Sequence, residues 1–558
     1  MALIEQLRMD LKAKIENAYH AAYGEGELPV EIQLEEPREK ANGDYSTNVA
    51  MMLARALRQP PRAIAEAIVS KLDLGTNIAK CEVAGAGFIN FYLDKSWLYP
   101  VLAEIEEKQN DYGKINLGQG KRYNVEFVSA NPTGPMHMGN ARGGALGDCL
   151  AALLEWAGYD VTREFYINDA GNQIEKFANS LNARYLQIFK GEDAIAFPED
   201  GYQGEDIKVH AANFAEINGD KYVEADEQER KDALVAYALE LNIDALKTDL
   251  EKYRIYYDIW FRESGLHNSG AVKETINLFV ENGHTYEKDG ALWFKATDFG
   301  EEKDEVLVRA NGIPTYFAAD VAYHRNKIEE RGFDKAINIW GADHYGHVAR
   351  MKNALGAIGI DGDKLDVVIM QLVRLMQDGE IVRMSKRTGK AVTLNDLLED
   401  TSVDAARFFF NMRQADSHMV FDLDLAVEES SENPVYYVQY AHARMCSILS
   451  LLASEGVEVL PTSEIDLSLL GEPQELELMK KLADLPQEIE VAALAYEPSR
   501  LTRYCVDLAA VFHTFYNACH VRQDNKALMA ARLKLVDSCR IVLANVLSML
   551  SISAPERM

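Results

Sequence analysis

The chain has 558 residues, too many for one hydrophobic core, and this length predicts about three domains. Hydrophobic residues (48%) and charged residues (26%) occur in the proportions of a soluble globular protein, and no apolar run approaches the roughly 18 residues of a membrane span. The formal net charge of −30 argues against broad electrostatic attraction to nucleic acid, so any such contact must use local basic strips and depend sharply on salt.

The cysteines and the N-terminus point to one compartment. None of the six cysteines has CxxC spacing, so we expect reduced core thiols in a cytoplasmic protein and no bound zinc. The N-terminal stretch MALIEQLRMDLKAKIENAY predicts an amphipathic helix that contains acids, which is typical of neither a signal peptide nor a transit peptide.

Residues 1–108 are predicted to form a small α/β domain. Turn residues precede a helix that ends near residue 57, a second helix begins with prolines 60 and 61, and residues 85–93 alternate like a strand. Residues 109–122 are polar, contain glycines and lack periodicity, so we interpret them as a linker to the next domain.

Residues 123–148 have the pattern of a buried strand, a Gly/Pro-rich loop and a helix. Such a loop presents free backbone N–H groups and the positive end of a helix dipole to an anion. His137 can donate a hydrogen bond to a phosphate, and Gly139 lets a nucleotide approach the backbone. The pattern predicts a phosphate site, and the structural alternative is a buried turn with an incidental surface histidine.

The following segments predict an open parallel sheet with a helical insertion. A strand ends near Asn168, residues of about 190–255 are acidic and helical, and residues 257–264 return toward the sheet. Tyr316 and Asp320 are four residues apart and share one face of a helix. An apolar strand ends just before His344, and residues 365–376 predict another strand or a pair of strands. The acidic run 298–305 is interpreted as a solvated loop.

The C-terminal third begins with a cationic loop. The sequence GEIVRMSKRTGK (379–390) places four cations within eight residues, between glycines, as a mobile loop that grips phosphates would. Residues 401–430 are predicted to be a connecting stem, and residues 431–558 a helical domain. Tyr436, Tyr440 and Arg444 suit stacking on unpaired RNA bases, although their helical spacing suits a protein core equally well.

These motifs resemble those of one family. SANPTGPMHMGN (129–140) is similar to the HIGH motif of class I aminoacyl-tRNA synthetases, and RMSKR (383–387) to their KMSKS loop; GDYSTN, GAGFINF, NDAGNQI and the PERM tail resemble the arginyl enzymes in particular. The resemblance implies an α/β fold with a Rossmann-type parallel-sheet catalytic domain at 123–400, whose helical insertion is at about 190–255. It also implies a small tRNA-binding α/β domain at 1–108 and an all-α anticodon-binding bundle at 431–558.

The resemblance further implies an arginine–tRNA ligase that uses ATP with Mg²⁺ and acts on L-arginine and the tRNA for arginine. It assigns catalysis to His137, Asn140, Arg383 and Lys386. It assigns ATP binding to Ala130, Asn131, Pro132, Thr133, Gly134, Pro135, Met136, His137, Met138, Gly139, Asn140, Met384 and Ser385. It assigns arginine binding to Glu126, Asn131, Glu263, Tyr316, Asp320 and His344, and tRNA binding to Tyr436, Tyr440 and Arg444. We expect a monomer without membrane contact.

Two positions depart from the family's motifs. Asn140 replaces the second histidine of HIGH, and Arg383 replaces the first lysine of KMSKS. Three alternatives therefore stay open: a catalytically weak tRNA-binding paralogue, a small nucleotidyltransferase of the same superfamily, and a class I synthetase for another amino acid. The long helical C-terminal domain argues against the nucleotidyltransferase.

Overall fold

The N-terminal part of the chain combines helices with an antiparallel sheet. The computed structural model describes residues 3–382 and 392–558. The N-terminal elements are α1 (Leu3–Tyr23), β1 (Tyr45–Thr47), α2 (Val49–Leu57), α3 (Pro61–Val69), β2 (Ile78–Ala84), β3 (Phe88–Leu93) and α4 (Tyr99–Lys108). The strands form a sheet of order β1-β3-β2. Where the sequence predicted one strand over 85–93, two strands form a hairpin that turns through Gly87, whose φ of 137° favours glycine.

A five-stranded parallel sheet lies at the centre of the chain. Its order is β11-β10-β4-β5-β6, and the order reverses between β4 and β10. Ligands of open α/β sheets bind at such a reversal, beyond the carboxyl ends of the strands. This topology confirms the predicted Rossmann-type fold class. The strands are β4 (Arg122–Glu126), β5 (Asp160–Ile167), β6 (Ile259–Arg262), β10 (Lys335–Gly341) and β11 (Leu365–Met370), and α5 (Met138–Trp156) follows β4.

A helical unit with its own core connects β5 to β6. It consists of α6 (Asn172–Lys190), α7 (Glu205–Asn218) and α8 (Glu227–Lys252). Phe177, Leu181, Phe214 and Leu234 are among its buried residues. The sequence predicted this insertion from about residue 190, whereas the helical block begins directly after the loop that ends β5.

A small antiparallel sheet was not predicted. The strands β7 (Thr285–Lys288), β8 (Ala291–Phe294) and β9 (Glu305–Val308) pair in the order β7-β8-β9. The acidic run 298–305 is largely the connection between β8 and β9, and residues 306–308 belong to this sheet instead of the parallel one. The helices beside it are α9 (Glu263–Ser269), α10 (Ala271–Glu281), α11 (Tyr316–Arg325) and α12 (His347–Ala357).

The rest of the chain is mostly helical. A three-stranded sheet of β12 (Val373–Gln377), β13 (Glu380–Val382) and β14 (Met419–Asp422) precedes it, so residues 365–376 contribute strands to two different sheets. The helices are α13 (Leu394–Asp400), α14 (Val403–Asn411), α15 (Leu423–Ala426), α16 (Pro434–Ser454), α17 (Pro473–Ala483), α18 (Leu485–Ala495), α19 (Ser499–Ala518) and α20 (Lys526–Met549). No helix among the described residues is long and apolar enough to cross a membrane.

The end of α20 is fixed to the catalytic helix α5. The fully buried Arg407 pairs with Asp148 of α5 and donates from Nε to the carbonyl oxygen of Leu550 at 2.7 Å. Cys149 of α5 lies 3.6 Å from that same oxygen. The C-terminal bundle and the helix that follows the phosphate-binding loop therefore share buried polar contacts.

Candidate active site

The predicted phosphate loop connects β4 to the N-terminal end of α5. His137 immediately precedes α5 and is exposed, and its carbonyl oxygen accepts from the Asn140 N–H at 2.9 Å. Helix α5 lies directly against β4, because Gly147 has no side chain: a Cβ there would approach the Phe127 ring to 2.2 Å. This close packing brings the free N–H groups of α5 to the point where the sheet order reverses.

Both ends of the cationic segment lie beside this loop. The Met138 N–H donates to the carbonyl oxygen of Val392 at 3.0 Å, and the Leu394 N–H donates to that of Met136 at 2.9 Å. On the other side, Val382 and Met138 line one cavity of about 450 Å³. The predicted residues Arg383, Met384, Ser385 and Lys386 lie outside the described residues. The chain nevertheless enters and leaves this segment next to His137.

A second cavity, of about 240 Å³, contains two of the predicted arginine-binding residues, Glu263 and Tyr316. Tyr316 begins α11, and its hydroxyl accepts from the Asn172 N–H at 2.7 Å. The ring packs over Gly171, where a Cβ would lie 2.8 Å from the ring and where φ is 76°. A glycine in the turn after β5 is therefore what allows Tyr316 to lie against the backbone.

Glu263 and Asp320 create negative charge next to this cavity. Glu263 is only 3% exposed, and its Oε1 lies 3.4 Å from His267 Nε2. Burial raises the pKa of Glu263, and the nearby charge of Asp320 raises it further. Asp320 lies one helical turn after Tyr316 and 3.4 Å from His347 Nε2. Among the described residues, no lysine or arginine pairs with either carboxylate.

Glu126, at the end of β4, is already hydrogen-bonded within the protein. Its Oε2 accepts from Lys327 Nζ at 2.6 Å, and its Oε1 from the Ser129 hydroxyl at 3.0 Å. Asn131 is exposed in the phosphate loop. His344 is exposed just beyond β10, 3.5 Å from Asp343. These three predicted residues therefore follow the two strands between which the sheet order reverses.

Several side chains near the site were missed in the sequence. Lys327 has the spacing of an ordinary surface lysine, and no local signal reveals its burial. Tyr166 also was not singled out; burial raises its pKa, as do the charges of Glu263 and Asp320. Val128 and Ser129 have φ values of 68° and 42°, which is rare for side-chain-bearing residues and unusual for valine above all. Backbone strain of this kind is concentrated at functional sites.

The predicted RNA-contacting residues lie together on α16. The rings of Tyr436 and Tyr440 are parallel, with centroids 6.3 Å apart. Arg444 donates to the Tyr440 hydroxyl at 2.8 Å and lies over the rings of Tyr440 and Tyr516. His513 of α19 stacks on Tyr440. The result is a partly exposed aromatic and cationic strip.

No group of three or more histidine, cysteine, aspartate or glutamate side chains within the described residues could hold a metal ion. Any metal ion in the reaction would therefore have to use fewer protein ligands there, as Mg²⁺ does when it is bound mainly by phosphates and water.

Comparison with known proteins covers the chain from end to end. The family model for the catalytic domain of class I (R) tRNA synthetases matches residues 102–444. The models for the arginyl tRNA synthetase N-terminal domain and the DALR anticodon binding domain match residues 7–93 and 438–558.

Individual proteins agree with these models. The arginine–tRNA ligase of Acetivibrio thermocellus is 57% identical over 100% of both chains, and that of Ruminiclostridium cellulolyticum is 58% identical over 99% of each. The solved arginyl-tRNA synthetase of Thermus thermophilus shares the fold, with a TM-score of 0.75 at 24% identity, over 99% of this chain and 100% of that one. The chain belongs to the arginyl-tRNA synthetase family, the arginine–tRNA ligases among the class I aminoacyl-tRNA synthetases.

Proposed function

We propose that this chain activates L-arginine with ATP, forming arginyl-adenylate and pyrophosphate, and then transfers arginine to the 3′ end of its tRNA. Neither step needs a protein nucleophile. Both steps need two reactants held in line and stabilisation of the charge that develops on phosphate oxygens. The residues of this chain would therefore act by binding, orientation and electrostatics.

The single observation that carries the choice of arginine is the pair Glu263 and Asp320. Two neighbouring carboxylates with no cationic partner among the described residues favour a ligand that is permanently positive. A guanidinium is planar, always charged and suited to forked contacts with carboxylates. Tyr316 would close one side of the cavity and offer its hydroxyl oxygen. Lysine would satisfy fewer of these groups, and unpaired buried charge is a strong basis for rejection.

ATP would lie at the N-terminal end of α5. Its phosphates would meet His137, Asn140 and the loop amides of residues 130–140 on one side. Arg383 and Lys386 would approach from the cationic segment, whose two ends are next to the same loop. Mg²⁺ would enter as part of the MgATP substrate and supply countercharge to the phosphates. Glu126, Asn131 and His344 would hold the amino and carboxylate end of arginine near the α-phosphate.

The tRNA would contact both ends of the chain. The strip of Tyr436, Tyr440 and Arg444 suits unstacked bases of an anticodon loop. The domain at 1–108 would bind elsewhere on the tRNA. We infer a monomeric, cytoplasmic enzyme; the six cysteines, all of them described and unpaired, suit a reducing compartment.

Arginine-dependent exchange of labelled pyrophosphate into ATP tests this function, with and without tRNA. We expect exchange with arginine that greatly exceeds exchange with lysine, ornithine or any other standard amino acid. Exchange at background level in the presence of tRNA would favour a catalytically weak tRNA-binding paralogue. Preference for another amino acid would contradict the role of Glu263 and Asp320.

A further inference from the structure

A buried lysine lies beneath the amino acid site. Lys327 is 0% exposed and sits in a π-helical turn, Asn326–Glu330, directly after α11. Its ammonium donates to Glu126 Oε2 at 2.6 Å and to Asn338 Oδ1 at 3.2 Å, and it lies 4.3 Å from the centroid of the Tyr323 ring. Short π-helical turns are rare and occur frequently at functional sites.

The charges around Lys327 are balanced. Glu164, fully buried on β5, pairs with Arg331 and lies 4.0 Å from Lys327. Burial alone would raise the pKa of Glu164, but the hydrogen bond from Arg331 and the charge of Lys327 bring it below its usual value. Two carboxylates, Glu126 and Glu164, thus face two cations. A cluster so balanced keeps Glu126 ionised although it is nearly buried.

The same cluster reaches the guanidinium side of the site. His324 accepts from Asn338 Nδ2 at 2.7 Å and donates from Nδ1 to the carbonyl oxygen of Asp320 at 2.7 Å. Burial and the charge of Lys327 lower the pKa of His324 to about 3, so it is neutral and suited to this bridging role. Lys327 is therefore connected to elements that carry both ends of the proposed arginine site.

The carboxylate of Glu126 is held from two sides. Lys327 fixes Oε2, and the Ser129 hydroxyl donates to Oε1 while accepting from the Tyr166 N–H at 3.1 Å. Ser129 reaches this position through the left-handed turn at Val128 and Ser129. Stability alone does not explain such a buried ion pair, because well-packed apolar residues of similar volume stabilise a core as well or better.

We propose that Lys327, assisted by Ser129, is a positioning residue that fixes the carboxylate of Glu126 toward the α-amino group of the amino acid substrate. The proposal rests on the proposed function, since the substrate is taken to be arginine. Lys327 touches neither substrate nor ATP in this scheme. It acts on affinity for one substrate group, the α-ammonium, through the orientation and charge of Glu126.

The test compares L-arginine with 5-guanidinopentanoate, which has the same guanidinium and carboxylate but lacks the α-amino group. Isothermal titration calorimetry gives the ratio of the two dissociation constants for the wild type and for Lys327→Met. We expect the wild type to prefer L-arginine and Lys327→Met to reduce that preference by roughly tenfold or more, the effect of one charged hydrogen bond. Lys327→Arg should restore part of it.

A matched control is available in the C-terminal domain. Lys534 is also a buried lysine, with its Nζ 2.6 Å from Glu106 Oε2. Lys534→Met removes the same kind of ion pair far from the site and should leave the ratio unchanged. An unchanged ratio in folded Lys327→Met, or an equal loss of affinity for both ligands, would overturn the proposal.

Ser129→Ala keeps the proposal testable if Lys327→Met does not fold, since it removes only a neutral donor to the same carboxylate. A reduction of a few-fold in the ratio is expected, and no change would contradict the proposal. Equal affinities of the wild type for both ligands would remove the α-amino contact itself. Absence of arginine-dependent pyrophosphate exchange in the wild type would instead overturn the proposed function.

Discussion

Glu263 and Asp320 illustrate how single side chains define specificity in this chain. One carboxylate is buried at the start of α9, and the other lies on the first turns of α11. Each has only a histidine as a possible ionic partner among the described residues. Their mutual repulsion is relieved when a cation enters between them, so a bound guanidinium gains both Coulomb attraction and hydrogen bonds.

Asp320→Ala should raise the KM for arginine far more than the KM for ATP. Loss of a charged hydrogen bond corresponds to about 1.5–3 kcal/mol, or roughly 10- to 150-fold in arginine affinity. Steady-state exchange kinetics with each substrate varied in turn measure both constants. Asp298→Ala, which removes an exposed acid from the loop after β8, is the control and should change neither. Equal increases for arginine and ATP would remove Asp320 from the arginine pocket.

The helix α5 shows how one element places several groups at once. It carries the phosphate-binding N-terminus at His137, packs on β4 through Gly147 and pairs with Arg407 through Asp148. A displacement of α5 would therefore alter the loop beside the ends of the cationic segment as well as the contact with the C-terminal bundle.

Gly147→Ala should destabilise the fold by about 1–3 kcal/mol, because its Cβ would overlap the Phe127 ring and neither backbone nor ring can move freely in a packed core. Exchange activity should fall as well, since the N-terminal end of α5 would shift. Gly143→Ala is the matched control in the same helix: its Cβ would lie 3.5 Å from Met370 Cε, an ordinary contact. Chemical denaturation measures both variants, and equal stability of the two would contradict the packing described for α5.

Elements with local sequence signals were predicted well, and those set by distant packing were not. Tyr316 and Asp320 share a face of α11 because a spacing of four residues depends only on helix geometry. The strand, loop and helix of residues 123–148 likewise follow from apolar spacing, prolines and glycines. The four-residue strands of the small antiparallel sheet, β7 to β9, are too short for a periodic pattern.

Lys327 marks the limit of sequence reasoning at the site. The sequence around it is that of a solvent-facing helix, and its burial arises only when the turn after α11 packs on Glu126 and Glu164 from two strands. The left-handed turn at Val128 and Ser129 is equally hidden, because neither residue is a glycine. Both features depend on the assembled sheet and not on their neighbours in sequence.

At the scale of the whole molecule, the N-terminal and C-terminal parts meet at a buried acid. Asp484 connects α17 to α18, and Lys480 nearby pairs with Glu36 of the N-terminal part at 3.1 Å. Burial, partly offset by Lys480 and reinforced by Glu36, raises the pKa of Asp484 to about 7. An unfolded aspartate titrates near pH 4. Between about pH 4 and 7 the unfolded chain loses this proton while the folded chain keeps it, so stability falls as the pH rises through that window.

Asp484→Asn should therefore be more stable than the wild type above pH 7, by roughly 1–3 kcal/mol, and this advantage should shrink toward pH 4. Melting temperatures measured across this pH range by differential scanning fluorimetry provide the comparison. Asp524→Asn, in the loop before α20, controls for the change in net charge. A gain that is constant with pH would contradict the raised pKa of Asp484.

A crystal structure with a non-hydrolysable sulfamoyl analogue of arginyl-adenylate tests the central claim most directly. We predict that the guanidinium lies between Glu263 and Asp320, and that the sulfamoyl group, which replaces the α-phosphate, lies beside His137 at the N-terminal end of α5. A guanidinium that faces bulk water, or a sulfamoyl group remote from that end of α5, would contradict it.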